Sequence, residues 1–449
     1  MRQHPIGRII EETPNGARWL GYLTIISFSI LGFFFLANNI KSDIYKKDFL
    51  AIYVLSQAVW NGGAIDTNLD ILIQKYVTHL PYSIFNHQSP HPPTMGLFFL
   101  PLIFIQYETA RWIWFIFENL FFIFSLKLIS IAIDTLVSWK IILLTALAFQ
   151  SFNPLALDLY NGQIHCFLLF LISLTWVFLK KDHETISGFF WGISLLIKQI
   201  AWPIFFLFLI YKKIKALYAG IITITIGYIL TSILIGFHSI FNYYFNTLPS
   251  LTKHYMDCPW NISLWPIGTR VINGALFLTS ESVNFFMQPL LSGNPFYYVI
   301  PFLLPVGILI VIIILIQKIQ NLDSSFALLS GLSITINPIA WAYYNLFSMI
   351  PLAIVIKQLV ALRFPSFVTS MSLFSFFAIA IDQLFWMQMT NYIQTGGWIT
   401  NERFAHFNFN YLTHLFFFMP TLGAFILSFL AARPVEIPQR SVEKPPREE

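Results

Sequence analysis

The 449-residue chain is 57% hydrophobic and only 10% charged, with a mean hydropathy of +0.68 and a formal net charge of +5. Soluble domains carry roughly 25% charged residues, and here apolar runs long enough for about 30 Å of hydrocarbon recur from end to end. These values exclude a soluble enzyme, and the lack of basic stripes with interleaved aromatics outside the apolar runs excludes a nucleic-acid binder. An all-α, polytopic membrane protein is predicted.

Arg2, Arg8 and Arg18 precede the first apolar run. Because Lys and Arg mark cytoplasmic loops, the chain is expected to start inside and to cross first at 19–38. That run is too long for a signal peptide and lacks a small-residue cleavage pattern. The polar stretch from Lys46 to Pro93 follows. It holds Asp48, Asp66, Asp70, His79, His87 and His91, and ends in His91-Pro92-Pro93. Met95 to Gln106 contains Pro101 and is too short to cross, so it is expected as a helix on the outer surface. Spans are predicted next at 110–132, 140–153, ending at Asn153-Pro154, and 163–179, ending at Lys180-Lys181.

The run from Ile186 to Tyr211 has lysine clusters at both ends, Lys180-Lys181 and Lys212-Lys213 with Lys215. A single crossing would strand one cluster outside and leave Lys198 in mid-bilayer, at roughly 2.5–3.5 kcal/mol on insertion scales. A hairpin breaking between Lys198 and Pro203 keeps both clusters inside. Its short arms suit a membrane face hollowed into a wet cavity. Further spans are predicted at 216–236, 298–317, 325–337, 345–357, 365–386 and 412–432, giving about twelve with both termini cytoplasmic. A second outer loop covers 237–297, and the Pro-rich, charged tail at 433–449 is expected to be disordered. Cys166 falls in an apolar run and Cys258 in a loop, so neither a pair nor a metal motif is expected.

This orientation puts Asp48, His91, Asn161-Gly162-Gln163, Lys198, Asn261, Arg270, Asn337-Pro338 and Trp341 to Tyr344 on the outer face. Convergence on one side suggests a single site. Asp48 precedes an amphipathic stretch, and a carboxylate held beside the membrane can accept a proton from an alcohol. Asp43 is a rival, whereas Asp66 and Asp70 read as solvated helix-surface residues. His91 can hydrogen-bond a phosphate or sugar oxygen, or simply belong to a rigid entry turn. Gln163 at a membrane boundary implies a polar pocket, and His165 reads as a buried, hydrogen-bonded residue. Lys198 and Arg270 suit phosphate recognition, against snorkelling or solvation. Trp341 and Tyr344 suit sugar stacking or an aromatic belt. No phosphate loop, HExxH, CxxC pair or dinucleotide fingerprint occurs, so no cofactor, metal or nucleotide is expected.

Taken in order, Asp48-Phe49 with Tyr53 and Gly62, His91-Pro92-Pro93, Gly162-Gln163, Gly192 through Lys198 to Pro203, Asn261-Ile262-Ser263-Leu264 with Arg270, and Asn337-Pro338 with Trp341 and Tyr344 resemble the integral-membrane GT-C glycosyltransferases. The nearest resemblance is to glycosyltransferase family 87, the polyprenyl-phosphate-mannose-dependent mannosyltransferases. It spans about 48–345. The chain departs from the family where His91 precedes the proline pair and where Ala342 precedes the tyrosines.

The resemblance implies a conserved GT-C module at 1–236 with a catalytic outer loop at 39–109 containing juxtamembrane helices, the outer loop 237–297, and a variable C-terminal bundle at 298–432. It narrows the base to Asp48. Lys198, Arg270 and His91 would bind the donor phosphate, and Asn161, Gln163, Asn261, Trp341 and Tyr344 the substrate. The implied donor is a hexose, mannose in the first place, on a polyprenyl phosphate, and the acceptor is a lipid or glycan hydroxyl. The setting implied is the extracytoplasmic face of a bacterial inner membrane. Competing readings are a transporter or lipid flippase, against which the halves show no repeat, and an outer-leaflet glycan polymerase or ligase, which would centre on a late loop rich in Arg and His.

Overall fold

The computed structural model describes residues 15–433 except 47, 64, 78–84, 86, 136, 257, 259, 267–274, 279–283, 288–298, 363–364, 383–384, 386–387, 390–391, 393–395, 397–407 and 410–417. In hydrocarbon every backbone N–H and C=O must find a partner within the protein, and apolar runs therefore become helices. The first half contains α1 (Asn15–Ser42), α2 (Asp48–Trp60), α3 (Leu69–Tyr76), α4 (Tyr107–Ala132), α5 (Trp139–Ala148), α6 (Asn153–Asn161), α7 (His165–Lys180), α8 (Glu184–Ile197), α9 (Ile204–Ile210) and α10 (Ile214–Ile235). The second contains α11 (Phe237–Asn242), α12 (Leu248–Met256), α13 (Ile300–Ile319), α14 (Leu322–Ile336), α15 (Met349–Ala361), α16 (Ser366–Ala380) and α17 (Met419–Ala432). A small sheet is added to this helical body. In it β1 (Ala275–Leu278) pairs antiparallel with β2 (Asn284–Met287), which pairs parallel with β3 (Asn408–Phe409).

Among the described residues, five helices are long and apolar enough to cross a membrane: Leu23–Ser42, Tyr107–Ala132, Ile214–Ile235, Phe302–Ile319 and Ala342–Ala361. The pair Trp139–Ser151 and Asn153–Asn161, bent by 79°, makes a sixth if counted as one span. The other runs expected to cross are helical but shorter. Thus α7 has 16 residues, α8 14, α14 15, α16 15 and α17 14.

Three local expectations are corrected. Met95 to Gln106 is not a surface helix but one turn, Met95–Phe98, and a 3-10 segment, Leu100–Phe104, with Met95, Phe99 and Ile103 buried. Pro101 supplies no N–H to continue an α-helix. The stretch after Asp48 is not amphipathic, because α2 is buried on nearly all sides from Phe49 to Val59. At Asn153-Pro154 the chain does not stop but turns into α6, with Pro154 in the first turn, where its missing N–H does no harm.

One close crossing organises the middle of the bundle. Gly188 and Gly192 of α8 face Ala216, Gly220 and Thr223 of α10, and a Cβ on Gly188 would collide with the Ala216 carbonyl. Small residues let membrane helices approach backbone to backbone. On its other side α10 presents Ile222, Ile226, Ile229 and Ile233 outward, as expected of a face turned to lipid.

The two ends of the bundle differ in chemistry. At one end Lys180 pairs with Asp134 at 2.6 Å and Asp323 at 3.0 Å, and Lys213 with Asp182 at 2.8 Å. Lys357 donates to the Ile133 carbonyl at 2.7 Å. These bonds join the chain around the end of α4, the α7–α8 turn, and the starts of α10 and α14. The other ends of α7, α8 and α14 meet at a cavity.

Candidate active site

That cavity measures about 800 Å³ and is lined by Asp48, His91, Gln163, Lys198, Trp341 and Tyr344. These six come from five separate stretches of the sequence, and the fold brings them to one space. Asp48 opens α2, so its carboxylate stands in the first turn, where the helix dipole favours negative charge. Its Oδ2 accepts a hydrogen bond from Gln163 Nε2.

Gln163 is held in turn. Gly162 ends α6 in the left-handed region (φ 65°, ψ 44°), and a Cβ there would sit 2.7 Å from Phe49 Cβ and 2.8 Å from the Arg111 guanidinium. Only glycine enters this turn without strain. The Gln163 N–H donates to the Asp158 carbonyl at 2.9 Å, and Trp114 Nε1 donates to the Gln163 carbonyl at 3.0 Å. Below lies Asp158, fully buried, which bonds His165 Nδ1 at 2.8 Å and the Cys166 N–H at 3.0 Å. His165 is the buried, hydrogen-bonded residue expected. Its ring lies 4.8 Å from that of Tyr343 and 4.4 Å from that of Tyr344. Asp158 escaped the sequence reading because an aspartate before an apolar run looks like a loop acid; its signal is the histidine seven positions on.

The other acids point elsewhere. Asp43 accepts from Tyr160 Oη at 2.8 Å and does not line the cavity. Asp66 and Asp70 are not simply solvated. Asp66 accepts from Asn242 Nδ2 at 3.0 Å, and Asp70 from the Phe85 N–H at 2.9 Å, so both tie the polar stretch to itself or to α11.

Lys198 sits at the break anticipated between α8 and α9. It adopts extended backbone (φ −162°, ψ 132°), followed by the 3-10 turn Gln199–Ala201. Its Nζ lies 4.5 Å from the centroid of the Tyr344 ring. Asp48 and Asp158 are near enough to be felt as charges, yet among the described residues Lys198 forms no ion pair. A half-buried cation resting on a ring rather than a carboxylate has capacity for an anion.

His91 is buried, and its Nδ1 has no hydrogen-bond partner among the described residues. Burial, and then the Lys198 charge, hold the imidazole pKa well below its ordinary 6.5. The ring is therefore neutral at pH 7, with one nitrogen left to meet a ligand.

The far wall was not legible beforehand. It consists of Tyr243, Tyr244, Leu248, Leu251, Thr252, His254 and Tyr255, carried by α12 and the π-helical turn Tyr243–Thr247 before it. Gln199 Nε2 donates to Tyr244 Oη at 2.9 Å, and Tyr243 Oη donates to the Pro90 carbonyl at 3.0 Å. Aromatic residues make up 18% of the chain, so Tyr243, Tyr244 and Tyr255 gave no signal.

Asn261 does not line the cavity. Its Nδ2 donates to the carbonyls of Met256 at 3.0 Å and Pro338 at 2.9 Å, and its Oδ1 accepts from the N–H groups of Ser263 and Ala340. It braces the Asn337–Ala340 turn that carries Trp341. Asn161 lines a second cavity of about 320 Å³, which shares Trp341 and Tyr343 with the first. Arg270 lies outside the described residues. Among the described residues no three His, Cys, Asp or Glu side chains gather to hold a metal ion.

A carboxylate, a cation and a neutral imidazole around one space can take a proton from a hydroxyl while stabilising an anion. Comparison with known proteins places most of this region in a family. Residues 90–338, more than half of the chain, fit the model of glycosyltransferase family 87. That stretch contains His91, Gln163 and Lys198, while Asp48 lies before it and Trp341 and Tyr344 after it. No curated protein and no solved structure matched the chain.

Proposed function

Since the chain belongs to glycosyltransferase family 87 and is thus a membrane glycosyltransferase, we propose that it moves a hexose from a polyprenyl phosphate to a hydroxyl of a lipid or glycan acceptor. Mannose is the first sugar to test. The observation that carries this reading is that Asp48 and Lys198, which forms no ion pair among the described residues, share one cavity.

In the reaction, the acceptor oxygen attacks the anomeric carbon as the bond from that carbon to the phosphate oxygen breaks. The hydroxyl proton passes to Asp48, held in place by Gln163. Polyprenyl phosphate leaves with the bonding electrons, and Lys198 offsets its charge. His91 donates from its neutral ring to a phosphate or sugar oxygen, and Trp341 and Tyr344 orient the sugar. Arg270 is proposed as a second phosphate ligand. The phosphate ester supplies the driving force, so no nucleotide is needed.

The same reading keeps about twelve crossings in a GT-C arrangement, with both termini in the cytoplasm and the cavity opening outside a bacterial inner membrane. Its support is the segregation of basic residues: Lys180, Lys213 and Lys357 gather at the end of the bundle opposite Asp48. The test is to supply purified protein with polyprenyl-phosphate hexoses and acceptor lipids. Transfer is expected, and Asp48→Asn is expected to abolish it. Wild-type rates in Asp48→Asn would remove Asp48 as the base, and no turnover of any lipid-linked sugar would favour a transporter.

A further inference from the structure

Where α8 ends, its last carbonyls lose their helical partners. The Ser194 carbonyl still accepts the Lys198 N–H at 2.9 Å. The Leu196 carbonyl, two residues before Lys198, accepts instead from the hydroxyl of Thr94, far away in sequence. Thr94 precedes the short helical turn Met95–Phe98, a place where a threonine side chain commonly caps the turn's own N–H groups. It makes no such bond here. Its hydroxyl goes to the end of α8, and the residue is wholly buried and does not line the cavity.

We infer that Thr94 is a positioning residue for Lys198: its hydroxyl fixes the end of α8 against the turn that carries His91, so that the cation and the imidazole meet the phosphate at a set spacing. The inference rests on the proposed phosphate-binding role of Lys198 and names what keeps that residue in place.

The anchoring turn is stiff. Pro92 and Pro93 have fixed φ, and their carbonyls accept from the N–H groups of Met95 and Gly96 at 3.0 Å each. Gly96 lies tight on α2, since a Cβ there would sit 2.8 Å from Val59 Cγ2. One turn therefore touches both the helix that Asp48 begins and the helix that ends beside Lys198. On its other side the α8 end is held by α10, where a Cβ on Gly227 would collide with the Leu196 side chain. Lys198 itself has extended backbone, and its ammonium rests on the Tyr344 ring with no ion pair among the described residues. Its position thus depends on the backbone that carries it, and groups behind a site set the precision of the groups that touch the ligand.

The test uses full-length protein in detergent and two readouts that need no turnover. Lysines are reductively methylated with isotope-labelled formaldehyde, which keeps their charge, and the Lys198 magnetic-resonance signal is identified by its loss in Lys198→Arg. Held against the Tyr344 ring, this signal is expected upfield of the other lysines in wild type and in Thr94→Ser, and shifted toward them in Thr94→Val. Equilibrium binding of a polyprenyl phosphate is the second readout. Thr94→Val is expected to weaken it about tenfold, and Thr94→Ser to recover most of the loss. In a Lys198→Met background Thr94→Val is expected to change binding by less than about twofold, because a residue acting through the lysine has nothing left to position. A merely structural role would weaken both backgrounds alike. Thr94→Ala, judged by the same measures, replaces Thr94→Val if the latter does not fold. An unmoved Lys198 signal, or equal weakening in both backgrounds, overturns the inference. A signal that moves in a protein that binds no polyprenyl phosphate refutes the donor reading and leaves the positioning of Lys198 by Thr94 standing.

Discussion

Replacing Lys198 by Met separates what this residue does for folding from what it does for substrate. Met fills the space of the lysine stem without the charge. In the structure the ammonium rests 4.5 Å from the Tyr344 ring and forms no ion pair among the described residues. Interior cations without a bonded carboxylate cost stability, so Lys198→Met is expected to leave the melting temperature of ligand-free protein unchanged or higher. Activity should move the opposite way. Unit charges about 4 Å apart interact by about 4 kcal/mol at an effective dielectric of about 20. At 1.36 kcal/mol per decade that corresponds to about a thousandfold. Because other groups share the phosphate charge, the expected loss in kcat/KM is about 100- to 1,000-fold, and Lys198→Arg should keep more activity than Lys198→Met. The assay is hexose transfer from a polyprenyl phosphate by purified protein, alongside thermal unfolding. A loss under about threefold, or a fall in melting temperature matching the fall in activity, would refute the reasoning.

Four further outcomes are expected. Asp48→Asn should lower kcat by about 100- to 10,000-fold, the range for loss of a general base. Gln163→Glu places a second carboxylate against Asp48, and like charge disfavours ionisation, so the acidic limb of the pH–rate profile should move to higher pH. Gly162→Ala adds a Cβ 2.7 Å from Phe49 at φ 65°, and should destabilise by about 1–3 kcal/mol, read as a lower unfolding midpoint. Finally, His91 has its folded pKa held below the ordinary 6.5 by burial. Between those two values the unfolded chain binds more protons than the folded one, so this contribution to stability is present above pH 6.5 and is lost as pH falls toward the folded value. His91→Gln should flatten the fall of unfolding midpoint with acidification below pH 6.5, and an unchanged slope would show that the proton goes elsewhere.

Much of the site could be read before the fold was known, for a physical reason. Polar residues in apolar segments are costly, so Gln163 and Lys198 stood out against their neighbours, and the lysine clusters around 180 and 212 required a break where one is found. Residues whose role depends on packing gave no such contrast. Asp158 organises Gln163 and His165 from within, and Tyr243, Tyr244 and Tyr255 form a wall only because α12 folds back over the cavity. Asn261 was singled out by resemblance and is a brace in the structure, since both ends of its amide are engaged by backbone. Helix lengths were the least legible feature, because runs of similar hydropathy give 26 residues in α4 and 16 in α7.

That difference in length has a consequence for how a lipid would meet the protein. At 1.5 Å per residue, the 16 residues of α7 rise about 24 Å, against about 30 Å of hydrocarbon. Were Lys180 to mark one membrane surface, α7 would begin at His165 several ångströms short of the opposite headgroups, and the proposed outward cavity would have its floor sunk into that leaflet. A phosphate can settle into such a pit while its hydrocarbon tail stays among neighbouring chains, avoiding the loss of about 0.8 kcal/mol for every methylene drawn into water. Encounter then becomes a two-dimensional search by lateral diffusion, and its rate depends on surface density and bilayer thickness rather than on bulk concentration.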